Sequence, residues 1–66
     1  MNQILKIFKK PKFELFKDVA GEYRFRLVAP NGKIVLSSEG YTSRHGAVKG
    51  INSIKRNAKK AKIVDV

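Results

Sequence analysis

Glu22-Tyr23-Arg24-Phe25-Arg26-Leu27-Val28-Ala29 is the stretch on which the reading of this chain turns. Tyr23, Phe25, Leu27 and Ala29 alternate with Glu22, Arg24, Arg26 and Val28 at period two, the side-chain period of a β-strand. One face is therefore apolar and must be covered, while the other is basic and carries Val28. Downstream, Pro30-Asn31-Gly32 is a turn signal, because Pro fixes a negative φ and Asn and Gly tolerate the positive φ of tight hairpins. Lys33 to Ser38 then forms a third strand, with Ile34 and Leu36 inward and Lys33, Val35 and Ser37 outward. Upstream, the pattern KFELFKD over Lys12 to Asp18 sets Phe13, Leu15 and Lys17 on one face against Glu14 and Phe16 on the other, and Val19-Ala20-Gly21 turns the chain into the central strand. Three such runs make an antiparallel meander.

The apolar face needs a lid. Thr42 or Ser43 can cap a helix running from about Ser43 to Ala58, in which Ala47, Ile51, Ile54 and Ala58 form one apolar stripe with Val48 on its border. The expected fold is α+β, a three-stranded antiparallel meander covered by one C-terminal helix. Gly46 and Gly50 each weaken that helix by roughly 1 kcal/mol relative to alanine, and their benefit is a close approach to the sheet. Residues 61–66 (AKIVDV) alternate again, as a short fourth strand or an ordered tail. Residues 1–11 (MNQILKIFKKP) fit a short helix or an added strand and end at a proline that separates them from the domain over 12–66; they are read as a basic arm.

With 66 residues there is room for one small domain and no second, and such a domain buries only about 60% of its unfolded surface. Stability is expected to be narrow or borrowed from a partner. Hydrophobic residues at 42% exclude a disordered tail. Fifteen Lys and Arg against five Asp and Glu give a formal charge of +10, a field that attracts polyanions. The absence of cysteine excludes disulfides, a thiolate nucleophile and a zinc knuckle. No apolar run is long enough for a membrane span or a signal peptide, so a cytoplasmic location is expected.

Several separated motifs carry a resemblance. Phe13 to Asp18, Gly21 to Leu27, Asn31-Gly32, Ile34 with Leu36 to Tyr41 and Ser43, and Gly50-Ile51 with Ser53, Lys55 and Asn57-Ala58 are together similar to the YegP-like family of small uncharacterised prokaryotic proteins. The resemblance covers Lys12 to Ala58 in order. It implies a β-β-β-α unit that occurs either as tandem copies or as a single copy paired with another chain, and this single copy implies a homodimer. Members often carry Trp where Tyr23 or Phe25 stands here, and residues 1–11 have no counterpart. The resemblance brings no activity with it.

No residues support catalysis. His45 is the lone histidine, with no Ser, Cys or paired-carboxylate motif around it, and reads as an exposed helix residue. A single His without Cys offers too few metal ligands, and the glycines match no phosphate-binding loop. Neither a cofactor nor an enzyme is expected. Ser37 to Ser43 could hold an anion at a helix N-terminus, although its hydroxyls read more simply as caps. The strongest functional candidate is the basic outer face, Arg24, Arg26 and Lys33 with Phe16 and Val35 between them. A second cluster, Lys49, Lys55, Arg56, Lys59, Lys60 and Lys62, lies on and beyond the helix's outer surface; it would contact phosphates if nucleic acid is the ligand and serve only as a solubilising surface if not. The expected function is a non-catalytic basic module that binds nucleic acid or another polyanion through the cationic sheet face. The alternative is a homodimeric protein-interaction module, or one with an acidic protein partner, in which Phe16 and Val35 mark an interface and Arg24 and Arg26 pair with Glu14 and Glu22.

Overall fold

The computed structural model describes residues 10–66. Three strands, β1 (Lys12–Lys17), β2 (Tyr23–Val28) and β3 (Ile34–Ser37), precede one helix, α1 (Arg44–Lys60). The sheet order is β1-β2-β3 with both pairs antiparallel, so the α+β meander with a covering helix is the observed architecture. The expected arm over residues 1–11 lies, but for Lys10 and Pro11, outside the described residues.

The turns close for the reasons their residues dictate. Gly21 (φ 85°) and Gly32 (φ 88°) occupy the left-handed region that glycine enters without penalty. At the first turn Asp18 Oδ1 accepts from the amides of Ala20 and Glu22, both at 2.9 Å. At the second, Asn31 Oδ1 accepts from the Lys33 amide at 3.0 Å.

Phe25, 1% exposed, is the centre of the core. Its ring meets Phe13 edge-on and Tyr41 in a stacked geometry, each with centroids 5.9 Å apart. Ala47 of α1, fully buried, lies on the same side. The helix packs chiefly on β2. A Cβ on Gly50 would stand 2.5 Å from Tyr41 Oη and 3.3 Å from Phe25 Cε2, so this glycine lets the helix close down on the aromatic pair. Ser43 is the N-cap, its hydroxyl accepting from the Gly46 amide at 3.0 Å.

Three inside–outside expectations fail, and the first two have one cause. A bulge at Leu27/Val28 makes Leu36 oppose Leu27 and Ile34 oppose Val28, leaving Val35 as the extra residue. Ile34 is thereby shifted from the expected core face to the outer one and is 56% exposed. Val28, which strict alternation turns outward, is only 8% exposed, between cross-strand neighbours Lys12 and Ile34. The third is Ala58, a member of the expected covering stripe. Every residue from Lys55 to Lys60 is exposed, because the helix runs on past the sheet it covers. Residues 61–66 form no strand on their own sheet; they leave the helix extended at Ala61 and stay exposed throughout.

Candidate nucleic-acid interface

The cations lie on two opposite sides of the molecule, and the two sides differ in how far their charge is spent. On the outer face of the sheet, Arg26 stands opposite Glu14 across the β1/β2 ladder and bonds it through Nε at 2.7 Å from Oε1. Its guanidinium also lies 4.8 Å from the centroid of the Phe16 ring, the diagonal cross-strand neighbour. Arg24 does not find Glu22. It bonds Asp18 Oδ2 at 2.7 Å through Nε and the Ser38 carbonyl at 3.1 Å through Nη1. Lys12 Nζ is 3.4 Å from the other Glu14 oxygen. These contacts leave a signature on the carboxylates. Hydrogen bonds from Arg26 and then Lys12 hold Glu14 below the usual carboxylate range, and Arg24 followed by the Glu22 amide does the same for Asp18. The sheet face is thus a charge-compensated lattice with Lys33 exposed at its margin.

The helix face is different. Arg44 to Lys60 contains no Asp or Glu, and none of Lys49, Lys55, Arg56, Lys59 and Lys60 has a carboxylate within ion-pair distance among the described residues. All five are exposed. At about 100° per residue Lys49, Arg56 and Lys60 fall on the side of the helix opposite buried Ala47, and Lys55 and Lys59 fall on one flank of it. The structure therefore separates the candidate polyanion ligands into two sets, Arg24 and Arg26 on the sheet side and Lys49, Lys55, Arg56 and Lys59 on the helix side, with Lys33 exposed just before β3.

Phe16 and Val35, the candidate interface residues, are both exposed, and Ile34 joins them through the bulge. Ser38, which the sequence marks only as part of a polar run, completes the edge of the sheet. Its hydroxyl accepts from the Phe25 amide at 2.9 Å where the ladder with β3 gives out. The chain then rejoins β2 at Tyr41, which exchanges two 2.8 Å backbone bonds with Tyr23. The Ser43 hydroxyl caps the helix, as the capping reading expects, while that of Ser38 serves a strand amide. An open hollow of about 420 Å³ lies between Lys10, Lys12, Glu14, Val28, Ala29, Pro30 and Gly32. Its Lys12 and Glu14 are already paired. Among the described residues no cluster of His, Cys, Asp and Glu could hold a metal ion, and no helix is long and apolar enough to cross a membrane.

Fold and surface define a small basic α+β module built of one β-β-β-α unit. Residues 18–65 match the profile of a domain of unknown function, DUF1508. A UPF0339 protein of Methanosarcina acetivorans is 53% identical over 53 residues, covering 80% of this chain and 91% of that protein. UPF0339 protein Atu0232 of Agrobacterium fabrum is 53% identical over 55 residues, covering 83% and 89%. The chain belongs to this DUF1508/UPF0339 family of small uncharacterised proteins, in agreement with the YegP-like resemblance of its motifs. Two solution structures share the fold. One, of a protein from Haloferax volcanii, superposes with a TM-score of 0.77 at 45% identity and covers 89% of this chain and all of that one. The other, of ATU0232 from Agrobacterium tumefaciens, has a TM-score of 0.70 at 53% identity and covers 83% of this chain and 89% of that one.

Proposed function

We propose that the protein is a small non-catalytic binding module for a polyanion, and that the outer face of α1 is its principal contact surface. The observation that carries this reading is the contrast between the two basic faces: Arg24 and Arg26 are committed to Asp18 and Glu14, whereas the helix cations have no acidic partner among the described residues. A charge already paired releases few counterions on meeting a phosphate, and an unpaired one releases its full share. The helix face, rather than the sheet face that alternation alone favours, is accordingly the stronger electrostatic surface. Retention on immobilised heparin tests this directly. The full chain should bind at low ionic strength, and Lys49→Ala with Arg56→Ala should elute at clearly lower salt than the charge-matched pair Lys12→Ala with Lys33→Ala. Flow-through of the unaltered protein at about 50 mM salt would reject the reading.

A homodimeric assembly is the second reading, and a separate observation favours it. Ile63 (98% exposed), Val64 and Val66 project from an extended segment that stays exposed throughout, next to an exposed Ala58. Among the described residues the outer edges of β1 and β3 are both unpaired. An alternating apolar segment without a sheet and a sheet with unpaired edges are complementary in two copies of one chain. In this reading residues 61–66 supply the fourth strand to a second copy rather than to their own.

A further inference from the structure

We infer that the ligand class of the helix face is B-form duplex DNA, held by its phosphates in a sequence-independent manner. This rests on the polyanion reading above and narrows it, from three features of the structure.

The first is the distribution of charge around α1. Lys55 and Lys59, four residues apart, lie along one border of the exposed arc. Lys49, Arg56 and Lys60, seven and four apart, form a second row along the crest opposite Ala47, with Asn52 between the two rows. An exposed arc that is cationic from one flank across the crest suits a helix lying in a groove whose two walls are phosphate backbones. The B-DNA major groove, about 12 Å wide, admits an α-helix, whereas the deep, narrow major groove of A-form RNA does not.

The second is that no aromatic ring belongs to the proposed contact face: Arg44 to Lys60 contains no Phe, Tyr or Trp. The rings belong to the sheet and its edge: Phe25 is buried and held by Phe13 and Tyr41, Phe16 is exposed with the Arg26 guanidinium over it, and Tyr23 has Lys17 Nζ 5.4 Å from its ring centroid. Single-strand binders stack bases on such platforms, and the helix face has none to offer.

The third is the uncompensated repulsion the helix carries. Lys55 with Lys59 and Arg56 with Lys60 are like-charged pairs at spacing four, each costing a few tenths of a kcal/mol in an isolated helix. Lys59 and Lys60 interact favourably with the helix C-terminus, but Lys49 and Arg56 stand too far from it to do so. A phosphate array relieves this repulsion, so bound DNA should also raise the melting temperature.

The experiment is fluorescence anisotropy of the full chain with a duplex DNA, a duplex RNA and a single-stranded DNA, each about 20 nucleotides long, between about 50 and 200 mM salt. Duplex DNA should bind at least tenfold more tightly than the other two. The plot of log affinity against log salt should have a slope near −4, as expected from about 0.9 per phosphate for four to five cations. Lys49→Glu with Arg56→Glu should lose more than tenfold, while Lys10→Glu with Lys12→Glu, matched in charge, should lose less than threefold; circular dichroism confirms that both fold. Equal or tighter binding of single strands or duplex RNA overturns the inference. If that binding still depends on Lys49 and Arg56, the polyanion reading stands without it. No binding of any of the three probes, and none of heparin, removes both.

Discussion

Gly50 shows how one residue can oppose the preference of its own element. An alanine there would gain roughly 1 kcal/mol of helix propensity, yet its methyl would press on Tyr41 Oη and Phe25 Cε2 at the centre of the only aromatic cluster among the described residues. Overpacking of this kind typically costs about 1–3 kcal/mol, so Gly50→Ala should be a net loss of about 1 kcal/mol in urea unfolding. At Gly46 the nearest side-chain atom would be Ser43 Oγ at 3.2 Å and then Tyr41 Cδ2 at 3.6 Å, and Gly46→Ala should be neutral or slightly stabilising by the same measurement. Glu14 and Asp18 make a different residue-scale prediction. Their pKa values are lowered in the folded state, so the ionised forms favour folding. That contribution is complete above the ordinary carboxylate range and is lost as pH falls through that range and below it. Asp18→Asn keeps the Oδ1 that accepts from Ala20 and Glu22 but removes the charge facing Arg24. Its melting temperature should fall less steeply over that interval than that of the unaltered protein. The Glu14–Arg26 pair was legible from alternation alone. Asp18 as the partner of Arg24 was not, because a turn residue's reach depends on the turn's shape.

At the scale of elements, β3 is where pattern reading failed and where the reason is plainest. Strict alternation from Lys33 to Ser38 places Ile34 inward, but one extra residue at the bulge resets the register against β2 and turns Ile34 out. Period-two reasoning has no access to such an insertion, since residues on either side of it each alternate correctly. The helix is the opposite case. Its cap, its start and its buried Ala47 follow from local sequence, because capping and the 3.6-residue period act within a few residues. Ser43→Ala removes the only side-chain bond to the amides of the first turn among the described residues and should cost about 1 kcal/mol by thermal or urea unfolding. The overhang of its last turns was beyond local reading: how far a helix outruns a sheet depends on where the strands end.

For the whole molecule the governing fact is a small core: Phe25 is the only large side chain fully buried among the described residues, while Ile34, Val35, Ile63, Val64 and Val66 stay exposed. A domain of this size with so little interior gains by burying surface against a second copy. Light scattering after size-exclusion chromatography should give a mass of about twice 7.4 kDa at micromolar concentration, and removal of residues 61–66 should return the single-chain mass. A single-chain mass for the full protein would reject the assembly. The sequence by itself determined the meander, the covering helix, the two glycine turns and the existence of basic surfaces, because each rests on periodicity or on backbone preferences confined to neighbours in the chain. Only the tertiary structure decided which cations are neutralised, which face Ile34 takes, and that among the described residues no strand pairs with 61–66. Those outcomes depend on register and reach between segments distant in sequence, where a shift of one residue exchanges inside for outside and a paired charge for a free one.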